Sequence, residues 1–173
     1  CSDELSFLLP LASYLPKEAT TVYDGLAGDI LSAGHLQDDR QRALFASRSL
    51  SALAELMISY RWFRISEPVL RAILTPESYG MFDRRVAIAR ITEELERHCD
   101  APNPAASFFF WNRTRREIAL SPLRLLTGVS RVICPYLSQR VCDFLLSLPA
   151  KLTSHRRFHT DAILRAHPTV RHI

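Results

Sequence analysis

The chain lacks several features that would settle its class at once. No run approaches the roughly 18 consecutive apolar residues of a membrane-spanning helix, because Ser, Arg and Glu interrupt every apolar segment of the 173 residues. No membrane span is therefore expected. The four cysteines, Cys1, Cys99, Cys134 and Cys142, form no Cys-x-x-Cys pair, and a chain of this size needs no covalent staples; reduced thiols in a cytoplasmic protein are the expectation. There is no internal repeat, no low-complexity tract, and no linker long enough to divide residues 1–173 into two domains. The chain opens on Cys1 with no charged leader and apolar core behind it, so it is expected to be a piece of something longer.

What is present suits a globular domain with one sizeable core: 47% of residues are hydrophobic and 23% charged. A net charge of +4 is compatible with phosphate ligands but does not point to nucleic acid, and no nucleic-acid partner is expected.

Local patterns predict one strand and many helices. An apolar segment from Leu5 to Leu15, stopped by Pro16-Lys17-Glu18, suits a short helix. The β-branched and aromatic Thr20 to Tyr23, bounded by turn residues, suits a strand. Ala46, Leu50, Leu53, Ala54 and Met57 recur at helical spacing. Thr75-Pro76-Glu77 and Asn103-Pro104 are helix starts, with helices running to about His98 and about Leu120 and a break or bend at Gly80. Ser138 to Leu148 and Thr160 to Ala166 should be helices that stop before Pro149 and Pro168.

Between the strand and the first long helix lies TTVYDGLAGDILSAGH, Thr20 to His35. Glycines here allow the backbone to bend and to approach a ligand, while Asp24 and Asp29 add carboxylates. A magnesium-bound phosphate uses N–H donors and carboxylates together. A strand-end turn capped by Asp24 uses the same residues for structure alone.

The segment Tyr23-Asp24-Gly25-Leu26-Ala27-Gly28-Asp29-Ile30-Leu31-Ser32-Ala33-Gly34 resembles the Leu-Ser-Gly-Glu-Gly-Ala-Asp-Glu-Leu-Phe-Gly-Gly motif of the asparagine synthetase C-terminal domain family. Cys134-Pro135-Tyr136-Leu137, with Val141 to Pro149, resembles that family's Val-Pro-Phe-Leu-Asp segment and the helix behind it. Ala162-Ile163-Leu164-Arg165-Ala166 resembles its closing Leu-Leu-Arg-Glu-Ala. The three motifs occur in the same order and span most of the chain.

The resemblance implies an α/β, predominantly helical fold: part of an adenine-nucleotide alpha-hydrolase-like (ATP pyrophosphatase) domain, with one clear strand and several helices. It implies an ATP-dependent enzyme that adenylates a small-molecule or peptide carboxylate, releases pyrophosphate and forms an amide, with ATP and Mg²⁺ as cofactors. Asp29 falls on the acid that holds Mg²⁺ and pyrophosphate and is the catalytic and metal candidate. Asp24, Gly25 and Gly28 fall on the nucleotide-contacting turn, and Arg113 and Arg116 are further nucleotide-binding candidates. The family's Ser-Gly-Gly-x-Asp-Ser loop is not found here, so the partner implied is an N-terminal part of the same protein carrying that loop, which in the family usually includes a glutaminase domain.

Four positions depart from the pattern. Leu26 replaces a glutamate and Ile30 an acid, Ser138 stands where the family has Asp, and Asp161 stands where it has a lysine. An acid cannot stabilise charge developing on pyrophosphate, although Arg156, Arg157 and His159 are near in sequence. These departures also suit a catalytically inactive helical binding or scaffold module.

Other candidates carry bland readings. Phe108 to Trp111 beside Arg113, Arg115 and Arg116 suits either a phosphate contact or core aromatics with solvated arginines. His155 and His159 have the spacing of a zinc pair on a helix but no third ligand. Asp3-Glu4 and Glu93-Glu94 read as solvated acids.

Overall fold

The structure is a computed structural model that describes residues 8–34, 38–59, 65–120, 126, 128–129 and 131–169. The expected features at Cys1, Asp3, Glu4 and 5–7 lie outside these residues. The fold is predominantly helical, with a parallel pair of strands: β1 (Thr21–Tyr23) lies beside β2 (Arg131–Ile133) in the register Thr21 to Arg131 and Tyr23 to Ile133. No described helix is long and apolar enough to cross a membrane.

Helix α1 (Leu8–Glu18) runs through Pro16 rather than stopping there. After β1 comes a single helical turn, α2 (Gly28–Leu31), then α3 (Asp39–Ala46), whose cap Asp38 accepts from Gln41 N. The expected continuous helix through Ala46 and Leu50 is broken. The chain turns at Ser47 and Arg48, where Arg48 is left-handed (φ 52°), and α4 (Leu50–Ser59) buries only Leu53, Ala54 and Met57 of the expected stripe.

Helix α5 (Glu67–Ile73) leads to α6 (Pro76–Phe82), whose start is capped by the Thr75 hydroxyl accepting from Ser78 N. The break expected at Gly80 falls instead at Asp83, because its carboxylate accepts from Arg85 N and Val86 N and so opens a new helix, α7 (Arg84–Glu96).

The Asn103 cap holds: its side chain accepts from Ala106 N, opening α8 (Pro104–Phe109). This continues through a π-helical segment (Phe110–Thr114) into α9 (Arg115–Leu120). After β2, a tight turn (Pro135–Leu137) leads into α10 (Gln139–Leu146), α11 (Ala150–Thr153) and α12 (Arg157–Ala166). His155 and Arg156 are both left-handed, at φ 54° and 60°.

Two apolar clusters hold this together. Phe45, Leu53, Ala54, Met57, Leu95 and Ala105 join α3, α4, α7 and α8. Ala27, Ile30, Leu31, Phe110, Leu145 and Leu148 join the α2 turn to the π segment and α10, with Tyr136, Leu137 and Phe158 packed on them.

Candidate functional site

Because β1 and β2 are parallel, their carboxyl ends lie side by side, and Asp24 N donates to Ile133 O at 2.9 Å. The space beyond the carboxyl ends of parallel strands is where open α/β sheets bind ligands. Both turns that leave there belong to the motif segments: 24–27 after β1 and 134–138 after β2.

The first turn is built by its own side chains. Asp24 Oδ1 accepts from Leu26 N at 2.7 Å, Gly28 N donates to Gly25 O at 2.9 Å, and Asp29 Oδ1 accepts from Ile30 N at 2.9 Å. The N–H groups of Gly25, Ala27 and Asp29 have no acceptor among the described residues. Ala27, not a glycine, takes the left-handed position at φ 73° and is buried, while the Asp29 side chain is exposed. Asp24 and Asp29 thus frame a short stretch of backbone in which bonded and open N–H groups alternate.

The glycines of the turn do different work. A Cβ on Gly28 would lie 2.6 Å from Tyr136 Cε2, so Gly28 exists to let the Tyr136 ring rest on the backbone; a Cβ on Gly25 would meet nothing within 4 Å. Gly34 is left-handed at φ 66°, and its Cβ would meet Thr153 O at 2.6 Å.

Helix α12, whose residues Ala162 to Ala166 carry the third motif, arrives through residues that precede that motif. Phe158 packs on the α2 cluster and stands 6.1 Å from Phe144 of α10. Ser32, buried at the end of α2, donates its hydroxyl to Gly28 O at 2.7 Å and lies 3.1 Å from His159 Nδ1. A hydroxyl has one proton and a carbonyl only accepts, so His159 Nδ1 carries the proton in this contact. His155, left-handed and outside the helix, instead faces Asp39 at 3.6 Å. The two histidines therefore do not converge.

The departures have physical counterparts. Ile30 is fully buried in the core beside Leu31, where an acid would be desolvated without a partner. Leu26 is half-buried, Ser138 is exposed before α10 and makes no side-chain cap bond, and Asp161, Arg156 and Arg157 are exposed on or beside α12.

Of the arginine candidates, Arg113 pairs with Glu117 one helical turn on, at 3.0 Å, and Arg116 is exposed. Phe110 is buried against α2 while Trp111 is 44% exposed. The π segment thus brings an aromatic ring, rather than a guanidinium, to the turn. Burial pushes the Cys134 thiol up, and the Asp24 carboxylate adds to this; burial raises Cys142 as well. Neither thiol is an activated nucleophile.

One constellation was not legible in the sequence. Glu94, His98 and Ser107 meet across α7 and α8, with His98 Nδ1 2.8 Å from Ser107 Oγ and Nε2 3.6 Å from Glu94 Oε1. The arrangement resembles a nucleophile, base and acid, but the tautomer is wrong. Asn112 Nδ2 donates to Phe108 O at 3.1 Å, which fixes its amide, and lies 3.2 Å from His98 Nε2. Nε2 is therefore the acceptor and Nδ1–H the donor toward Ser107, so the ring cannot take the serine's proton.

Among the described residues no group of three or more His, Cys, Asp or Glu is placed to hold a metal ion. Comparison with protein families, with curated proteins and with solved structures found no match to the chain.

Proposed function

We propose that the chain is the C-terminal part of an asparagine synthase-like, ATP-dependent amide-forming enzyme with an adenine-nucleotide alpha-hydrolase-like domain. One observation carries the reading. The first two segments that carry the resemblance, far apart in sequence, meet around α2 at the carboxyl end of a parallel strand pair, and α12, whose later residues carry the third, reaches the same place through Phe158 and His159.

The donor set suits the cofactors of such a reaction. Magnesium is commonly held by one or two carboxylates, with phosphate oxygens and waters completing its shell, so Asp29 aided by Asp24 fits a magnesium-bound phosphate better than an all-protein metal cage. When bound, Mg²⁺ neutralises phosphate charge. The chain's own residues do the rest: the N–H groups of exposed Gly25 and Asp29, which have no acceptor among the described residues, are available to anionic oxygen, and Gly25 leaves room for its approach. Arg156 and Arg157 offer the positive charge that Asp161 lacks, and His159 beside them is tied to α2 by Ser32.

Strand burial supports a larger sheet. Parallel sheets are normally covered on both faces, yet β1 is exposed at Thr21 and Tyr23, the latter by 72%. The N-terminal part of the same protein, carrying the ATP loop, would supply the further strands and the helices that cover this face.

The test is calorimetric titration of magnesium pyrophosphate into the native polypeptide that contains this chain, with and without Asp29→Asn. The enzyme reading expects at least about tenfold weaker binding, or about 1.4 kcal/mol, with the melting temperature nearly unchanged. Unaltered binding, with Asp29→Ala costing about 1 kcal/mol of stability where Asp29→Asn, which keeps the Oδ1 acceptor for Ile30 N, costs little, would instead make Asp29 a structural cap and favour the scaffold reading.

A further inference from the structure

His98 sits just beyond α7, 8% exposed, with its ring edge-on to Phe108. Its two nitrogens join separate elements: Nδ1–H donates to Ser107 of α8, and Nε2 accepts from Asn112 in the π segment. A second group waits at Nε2. Glu94 Oε2 accepts from Arg97 Nη1 at 2.8 Å, which leaves Oε1 3.6 Å from the ring, too far for a hydrogen bond but near enough to become one by a small rotation. Among the described residues, Glu94 and Arg97, on the same helical stretch, are the charged groups that reach His98; α8 and the π segment present to it the uncharged Ser107, Phe108 and Asn112.

We propose that His98 is a proton-operated latch between α7 and the π segment: the neutral ring holds Asn112, and the protonated ring turns its Nε2–H to Glu94 and releases Asn112. A protonated Nε2 and the Asn112 amide are both donors and cannot face each other, whereas the Glu94 carboxylate is an acceptor on the ring's own helix. Burial holds the ring in the neutral, latched state by pushing its titration below the ordinary histidine range.

The released segment matters because it holds Phe110 against Ile30 and Leu31, so the wall behind the Asp24 to Asp29 turn loosens with it. An acidifying environment would then weaken the turn without unfolding α4 and α7, which share the other core. This inference does not depend on which ligand the turn takes.

The experiment is nitrogen-detected NMR of the His98 ring in the full chain during acid titration, with amide exchange followed at 110–115. The expected result is an Nδ1–H tautomer at neutral pH. Nε2 protonation should then coincide with faster exchange in the π segment while α4 amides stay protected. Asn112→Ala removes the neutral ring's donor and should raise the ring's midpoint by about half a pH unit, and Glu94→Gln should lower it by a similar amount, the size of one modest hydrogen bond. Midpoints that move together or not at all, or a ring that titrates while exchange at 110–115 is unchanged, would overturn the latch. Should Asn112→Ala fail to fold, Glu94→Gln and the wild-type exchange data decide alone.

Discussion

Replacing each glycine of the motif by alanine tests whether the turn is built as described, because the three sites predict three different outcomes. At Gly25 the new methyl meets nothing within 4 Å and the backbone is not left-handed, so the change should fall within about 0.5 kcal/mol of zero. At Gly28 the methyl arrives 2.6 to 2.9 Å from three atoms of the Tyr136 ring. Overpacking of this kind costs about 1–3 kcal/mol, offset by about 0.5–1 kcal/mol from placing Ala in a helix. A net loss of up to about 2.5 kcal/mol remains, or up to about 10 °C in Tm at this chain length. At Gly34 the methyl strikes the backbone carbonyl of fully buried Thr153 at 2.6 Å and sits at φ 66°. The left-handed penalty of about 1–2 kcal/mol adds to the clash, for about 2–5 kcal/mol in all. Urea unfolding of the three variants, followed by far-UV circular dichroism, should therefore rank them Gly25, Gly28, Gly34 from mildest to worst. Tyr136→Ala should remove most of the Gly28 penalty, a coupling of about 1 kcal/mol or more. Equal midpoints for the Gly25 and Gly28 variants, or no coupling to Tyr136, would refute the packing argument. If Gly25→Ala leaves stability intact but weakens magnesium pyrophosphate binding, the open side of the turn is where the ligand approaches.

Two further predictions rest on buried polar groups. Asn103, 1% exposed, caps α8 through Ala106 N and donates to the Thr153 hydroxyl at 2.9 Å; Asn103→Ala should cost about 2–3 kcal/mol from the lost cap and the lost buried bond, read by chemical denaturation, and a cost below about 1 kcal/mol would contradict the cap. His98 titrates lower when folded than its unfolded reference of 6.5, so the unfolded chain binds the extra proton first. Its stabilising effect is complete above about pH 6.5 and is lost as pH falls through the folded midpoint, with a slope of up to about 1.4 kcal/mol per pH unit. His98→Gln should flatten that part of a stability–pH curve, and an unchanged acid limb would show that another group controls it.

The parts of the fold that were legible in the sequence are those decided by neighbours. Thr75 and Asn103 cap helices through donors three residues on, and Thr20 to Tyr23 carries its own β-branched pattern. The break at Arg48 was hidden because its left-handed residue is neither glycine nor asparagine, and the break at Asp83 because a mid-helix acid looks like any solvated charge. β2 consists of Arg131, Val132 and Ile133, too short for a pattern of its own; only its distant partner makes it a strand. In the candidate site, Asp24, Gly25, Gly28 and Asp29 could be singled out in the sequence. Tyr136 on Gly28, His159 on Ser32 and Asn112 on His98 could not, since each contact depends on how separate elements come to rest.

The parallel register has a consequence for how the protein is made. Thr21 pairs with Arg131, so β1 leaves the ribosome about 110 residues ahead of β2, and at about 5–20 residues per second it waits for seconds without that partner. During that interval α3, α4, α7 and α8 can assemble their own core from closely spaced segments, as low-contact-order elements do quickly. The turn that frames Asp29 lacks its floor until Tyr136 and α10 have emerged. A chain truncated before residue 135 should thus keep a helical nucleus and lose the turn's supports, leaving the nascent strand as the portion a chaperone would have to shield.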